Sequence, residues 1–102
     1  MTTSRWRSLI GRLRKRFPVT GRVTVCRRPV QCDCGLTTFN GRGWRIRINA
    51  NLSDVAQIDA LLHEWAHVFA INEAYEHRGR WATVHGEIYD AWTRDFGAAT
   101  EK

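Results

Sequence analysis

The sequence predicts an α+β domain, and three observations carry that prediction. Residues 44–49 (WRIRIN) alternate apolar and basic side chains with a period of two, the mark of a half-buried strand. From Ser53 onward the apolar period switches to 3.6, the mark of amphipathic helices. The chain of 102 residues, 43% hydrophobic, fits a single domain with one modest core.

In chain order, residues 5–17 read as a short basic helix. Trp6, Leu9, Ile10, Leu13 and Phe17 recur at three- and four-residue steps, and Pro18 closes the run. Residues 22–27 (RVTVCR) alternate as a strand with Val23 and Val25 on one face. A turn-rich stretch from Pro29 to Gly43 holds Cys32, Cys34, Gly35, Asn40 and Gly41. The strand at 44–49 then turns Trp44, Ile46 and Ile48 inward and Arg45 and Arg47 outward. Were it the sheet edge, a peptide could pair with it. After Ser53 or Asp54 as cap, Val55, Ile58, Leu62, Trp65 and Phe69 form an apolar stripe. A turn around Asn72–Gly79 precedes a last helix near 80–95, with Trp81, Val84, Ile88 and Trp92 on its buried face. The outline is a basic helix (1–20), a short antiparallel hairpin or sheet (21–50) and two helices (53–95).

Charge divides the chain. The net +6 hides twelve Arg and Lys against one acid (Asp33) in residues 1–50, and four against nine in residues 51–102. No apolar run approaches the roughly 20 residues of a membrane span, and no apolar stretch follows the first basic residues as in a secretory signal. Three cysteines, with Cys32 and Cys34 too close for an easy mutual bridge, point to free thiols in a reducing cytoplasm.

The chemistry lies in His63-Glu64-Trp65-Ala66-His67. Residues i and i+4 share one helical face, so both imidazoles reach one metal ion, and Zn²⁺ suits neutral imidazole. Glu64, one position after the first His, stands where it can take a proton from a water that the metal activates. A purely structural site would have no use for that Glu, so the pattern points to catalysis. Two core-edge histidines with an unrelated Glu would spell the same letters, but the mid-helix position beside an apolar stripe favours the metal. For the third ligand, spacing leaves His77 and His85 open. Antiparallel helices bring His85 level with the pair, and a crossed arrangement brings His77.

The stretch Ile58-Asp-Ala-Leu-Leu-His-Glu-Trp-Ala-His67, preceded by the 44–49 strand, resembles the SprT-like zinc metallopeptidases, above all the small single-domain forms of bacteriophages. In that family a third His opens the next helix and is followed four residues later by Phe or Trp. His77-Arg-Gly-Arg-Trp81 matches, so the resemblance implies His77 as ligand. The usual Gly after that His is Arg78 here, while His85-Gly86-x-x-Tyr89 supplies the dipeptide, which keeps His85 as the alternative. The resemblance covers about residues 22–95. It implies a minimal zincin-like (gluzincin-type) domain and a zinc endopeptidase acting on proteins, in cellular relatives often proteins attached to DNA. Tyr75, Tyr89 or His85 could donate to the oxyanion.

The basic helix adds a possible non-specific nucleic-acid contact through Arg5, Arg7, Arg12, Arg14, Lys15 and Arg16. The competing function is therefore a basic nucleic-acid-binding or regulatory module whose zinc site is structural or inactive. A monomer without membrane association is expected in either case.

Overall fold

The computed structural model describes residues 1–30, 33–70 and 79–96. The order is α1 (Thr3–Arg16), β1 (Arg22–Arg28), β2 (Gly35–Phe39), β3 (Gly43–Asn49), α2 (Asp54–Ala70) and α3 (Arg80–Ala91), extended by a π-helical turn over Trp92–Phe96. This is the α+β layout expected.

Helix α1 starts where the Thr2 hydroxyl accepts from Arg5 N at 3.1 Å. It ends where the Phe17 amide donates to Leu13 O at 2.8 Å and the Trp65 indole donates to Phe17 O at 3.1 Å. Arg14, Lys15 and Arg16 in the last turn suit the negative end of the helix dipole. Trp6, Leu9 and Leu13 are buried in the core.

The sheet runs β1-β3-β2. β3 inserts between its two predecessors, parallel to β1 and antiparallel to β2. The antiparallel hairpin is therefore β2–β3, and the two strands marked by alternation, 22–27 and 44–49, pair in parallel. β3 is central and not an edge, so no peptide can pair with it, and the site-side edge is β2. The turn after β2 is held by Asn40, whose side-chain oxygen accepts from the Arg42 and Gly43 amides, both at 2.9 Å, while Gly41 takes a φ of +89°.

Ser53 caps α2, accepting from the Ala56 amide at 3.2 Å. Just before it, the buried Gln57 amide group donates to Leu52 O at 2.8 Å and fixes the β3–α2 connection. α2 packs on β2 and β3 with one side and on α3 with another. Ile58, Leu61, Leu62, Trp65, Ala66 and Val68 are consequently all buried. With Ile46, Ile48, Leu9, Leu13 and Ile88 they form one core, each fully buried aliphatic contributing about 1.5–3 kcal/mol. Val55 departs from the expected stripe: it is 70% exposed, because the first turn of α2 has not yet reached the sheet. Trp44 and Trp92 are half-buried against the core, and Arg47 is half-buried with its guanidinium 3.8 Å from Asp33. No helix among the described residues is long and apolar enough to cross a membrane.

Candidate metal centre

His63, Glu64 and His67 come from the middle of α2, and their ligand atoms lie within 4.8 Å of one another. They form the one such group of His, Cys, Asp and Glu among the described residues. The i, i+4 spacing places the His63 and His67 Nε2 atoms 3.1 Å apart. Two nitrogens bound to one tetrahedral Zn²⁺ at about 2.0–2.1 Å would lie about 3.3 Å apart, so the pair fits a shared ion without a change of rotamer. A single N–H···N hydrogen bond between neutral rings would also satisfy them. Both imidazoles are half-buried, open enough on one side for a ligand to enter.

Glu64 is only 7% exposed. A carboxylate so placed needs donors, and β2 supplies one that sequence reasoning missed. The buried Thr37 hydroxyl lies 2.8 Å from Glu64 Oε1 and 3.0 Å from the Glu64 carbonyl oxygen, and donates between them. Oε2 is left 3.8 Å from His63 Nε2, facing the imidazole pair. Two residues earlier on the same face of β2, Gly35 leaves the space that the Glu64 side chain fills. A Cβ there would meet Glu64 Cγ at 2.9 Å. Gly35 and Thr37 thus set the carboxylate's position from the sheet side.

Helix α3 closes the other side. The Trp81 indole donates to His63 O at 3.3 Å, and its ring meets His63 at a centroid distance of 4.9 Å and His67 at 5.5 Å. His85, one turn on, stacks flat on Trp81 with centroids 4.7 Å apart, and its ring centroid is 6.1 Å from that of His63. Of the expected oxyanion donors, Tyr89 is exposed and 6.2 Å from His85. His77, favoured as third ligand, lies outside the described residues, as do Tyr75 and Cys32.

The other expected site residues lie elsewhere. Arg7, Arg12, Arg14, Lys15 and Arg16 are on the exposed side of α1. Arg14 also donates to Val23 O at 2.7 Å, and Arg5 buries its Nε. Trp6 belongs to the core, with the Arg27 guanidinium 4.7 Å above its ring. Cys26 and Cys34 are free thiols. The chain matches no protein-family model, no curated protein and no solved structure.

Proposed function

We propose that the chain is a cytoplasmic zinc metallopeptidase similar to the SprT-like type, hydrolysing peptide bonds in protein substrates. The observation that carries the reading is a buried Glu64 carboxylate, fixed by the Thr37 hydroxyl at 2.8 Å, beside two imidazoles whose Nε2 atoms converge to 3.1 Å. A general base must be both close to the water it deprotonates and held in place, and Glu64 meets both needs.

His63 and His67 would hold the metal. His77 would complete the set by resemblance, with His85, next to the pair through Trp81, as the alternative. When bound, Zn²⁺ supplies a Lewis acid that activates water and polarises the carbonyl under attack. Glu64 takes the water's proton at Oε2 and returns it to the leaving amine, while Thr37 keeps Oε1 engaged and the carboxylate aimed at the site. Trp81 shields one side of the imidazole pair from solvent and fixes its distance from α3. The outer edge of β2, which carries Thr37, offers an extended substrate a strand to pair with beside Glu64.

The test is hydrolysis of an unfolded protein and of a nucleic-acid-bound protein by the zinc-loaded chain and by Glu64→Gln. Cleavage by the first, reduced at least about a hundred-fold in the second with zinc retained, supports the reading. Equal cleavage by both, or none by the zinc-loaded wild type on either substrate, overturns it in favour of a basic module with a structural zinc site.

A further inference from the structure

The sheet has two edges, and they differ. On β1 the Val23 carbonyl oxygen accepts from the Arg14 guanidinium of α1 at 2.7 Å, so that edge is engaged near its start. On β2 the bonds to β3 are fixed at both ends: Asn40 N donates to Gly43 O at 3.1 Å, and Asn49 N to Cys34 O at 2.9 Å. Antiparallel bonding alternates, so Cys34, Leu36, Thr38 and Asn40 turn their main-chain groups towards β3. Gly35, Thr37 and Phe39 turn theirs to the outer edge, and no strand among the described residues lies beyond them.

The same three residues share the helix-covered face of the sheet, at steps of about 7 Å. Gly35 and Thr37 are the two that meet Glu64. Phe39 is the next in that row. It stands opposite Trp44 in register, with ring centroids 4.6 Å apart, and is 53% exposed. Trp44 is half-buried against the core and backs the Phe39 ring from the inside. Leu36 is also exposed, but strand alternation puts it on the opposite face, away from Glu64. Phe39 is thus a supported apolar surface at the end of an unpaired edge that runs on to the candidate centre.

We infer that the β2 edge binds an extended polypeptide and that Phe39, backed by Trp44, takes a large apolar side chain from it. That this polypeptide is the substrate rests on the peptidase reading, to which the inference adds a direction and a side-chain class. A peptide antiparallel to β2 exchanges both main-chain bonds with Phe39, and again with Thr37 two residues later. Its side chains opposite Phe39, Thr37 and Gly35 fall on the helix-covered face. Running from Phe39 towards Gly35, it presents the apolar residue before the carbonyl that reaches Glu64. The selected side chain therefore lies N-terminal to the bond cleaved. A Ser or Asp there leaves the Phe39 ring in water, whereas Phe, Leu or Met covers it.

The probe is a fluorescein-labelled peptide of about nine residues, longer than a typical strand, with one Phe among Ser, Thr and Ala. Its anisotropy is read with the full-length Glu64→Gln chain and added zinc, so that no cleavage intervenes. Replacing the peptide's Phe by Ser should weaken binding about ten-fold, the effect of one partly covered apolar side chain. Phe39→Ala should bring the two peptides within about two-fold of each other, and Phe39→Leu should keep most of the difference. Circular dichroism checks that these changes at an exposed ring leave the fold intact. N-methylation of the peptide's Phe amide, the donor to Phe39 O, should cost about ten-fold, and the same methyl on the following residue, whose amide points away from β2, should cost little. The inference is overturned if the Phe peptide does not bind at about 1 mM. It is equally overturned if the Ser peptide binds as tightly, if the preference outlasts Phe39→Ala, or if the position of the methyl makes no difference. Should these binding results hold while the zinc-loaded wild type cleaves nothing, the groove stands and the hydrolysis reading falls. Should wild type cleave with no apolar preference before the cut, hydrolysis stands and the role of Phe39 falls.

Discussion

Replacing Gly35 by Ala drives a methyl group into three occupied directions at once. The added carbon lies 2.9 Å from Glu64 Cγ, 3.1 Å from Arg47 O and 3.1 Å from Ile48 Cδ1. The glutamate can swing away, but the Arg47 carbonyl belongs to the central strand and Ile48 is wholly buried, so neither retreats without disturbing the β2–β3 ladder. Overpacking of this kind costs about 1–3 kcal/mol, of which the stiffer unfolded chain returns about 0.4–1 kcal/mol. A net loss of about 1–2 kcal/mol remains. For a domain of this size that lowers Tm by about 5–15 °C. The same substitution at Gly11 and Gly86, helical positions where a Cβ meets nothing within 4 Å, gains about 0.5–1 kcal/mol and raises Tm. The assay is thermal unfolding of the three variants beside wild type, checked by denaturant midpoints. Three identical Gly→Ala changes should therefore separate by sign. A Gly35→Ala chain as stable as wild type refutes the claim that Arg47 O, Ile48 and Glu64 leave no room for a side chain at position 35.

Further outcomes follow from the same geometry. Thr37→Val removes the donor to Glu64 Oε1 and should slow peptide cleavage about ten-fold or more with zinc content unchanged, a hydrogen bond to a charged group being worth about 1.5–3 kcal/mol; Thr37→Ser should restore most of it, and failure of that rescue removes the hydroxyl's role. Leu61→Ala, at a wholly buried site, should cost about 2–5 kcal/mol in denaturant unfolding. Val55→Ala, 70% exposed on the same helix, should stay within about 0.5 kcal/mol of wild type. Metal binding needs both imidazoles neutral, so acid competes with the ion. Zinc affinity measured against a chelating dye should fall as the solution is made acid, by up to about a hundred-fold per pH unit for the two imidazoles and about a thousand-fold where a third completes the set. A flat response to acid would show that the two histidines are not the ligands.

Much of the fold is written in local periodicity. The runs around Leu9 and Leu13, around Ile46 and Ile48, and from Ile58 to Trp65 each carry one unambiguous period, and each forms the predicted element. The strand GLTTF does not: five residues with one buried polar side chain leave no alternation to read, so β2 was hidden in a stretch that looked like turns. Missing it also hid the order of the sheet, because only β2 shows that β3 is an insertion with a parallel neighbour. Central placement blurs amphipathicity as well. α2 is packed by the sheet and by α3, so Leu61, Ala66 and Val68 are buried although they stand off the expected stripe. At the site, the His-Glu-x-x-His spacing was legible because a helix alone brings those residues together. The contribution of Thr37 was not, since it reaches Glu64 across 27 residues of chain through a strand pairing that no local pattern encodes.

The central claim is that His63 and His67 share one metal ion beside a Glu64 that acts on it without being needed to hold it. Zinc content of the purified chain, measured beside protein concentration for wild type, Glu64→Gln and His67→Ala, tests it most directly. Close to one zinc per chain is expected in the first two and a loss of most of it in the third. Zinc-free wild type, or zinc undiminished in His67→Ala, would contradict it.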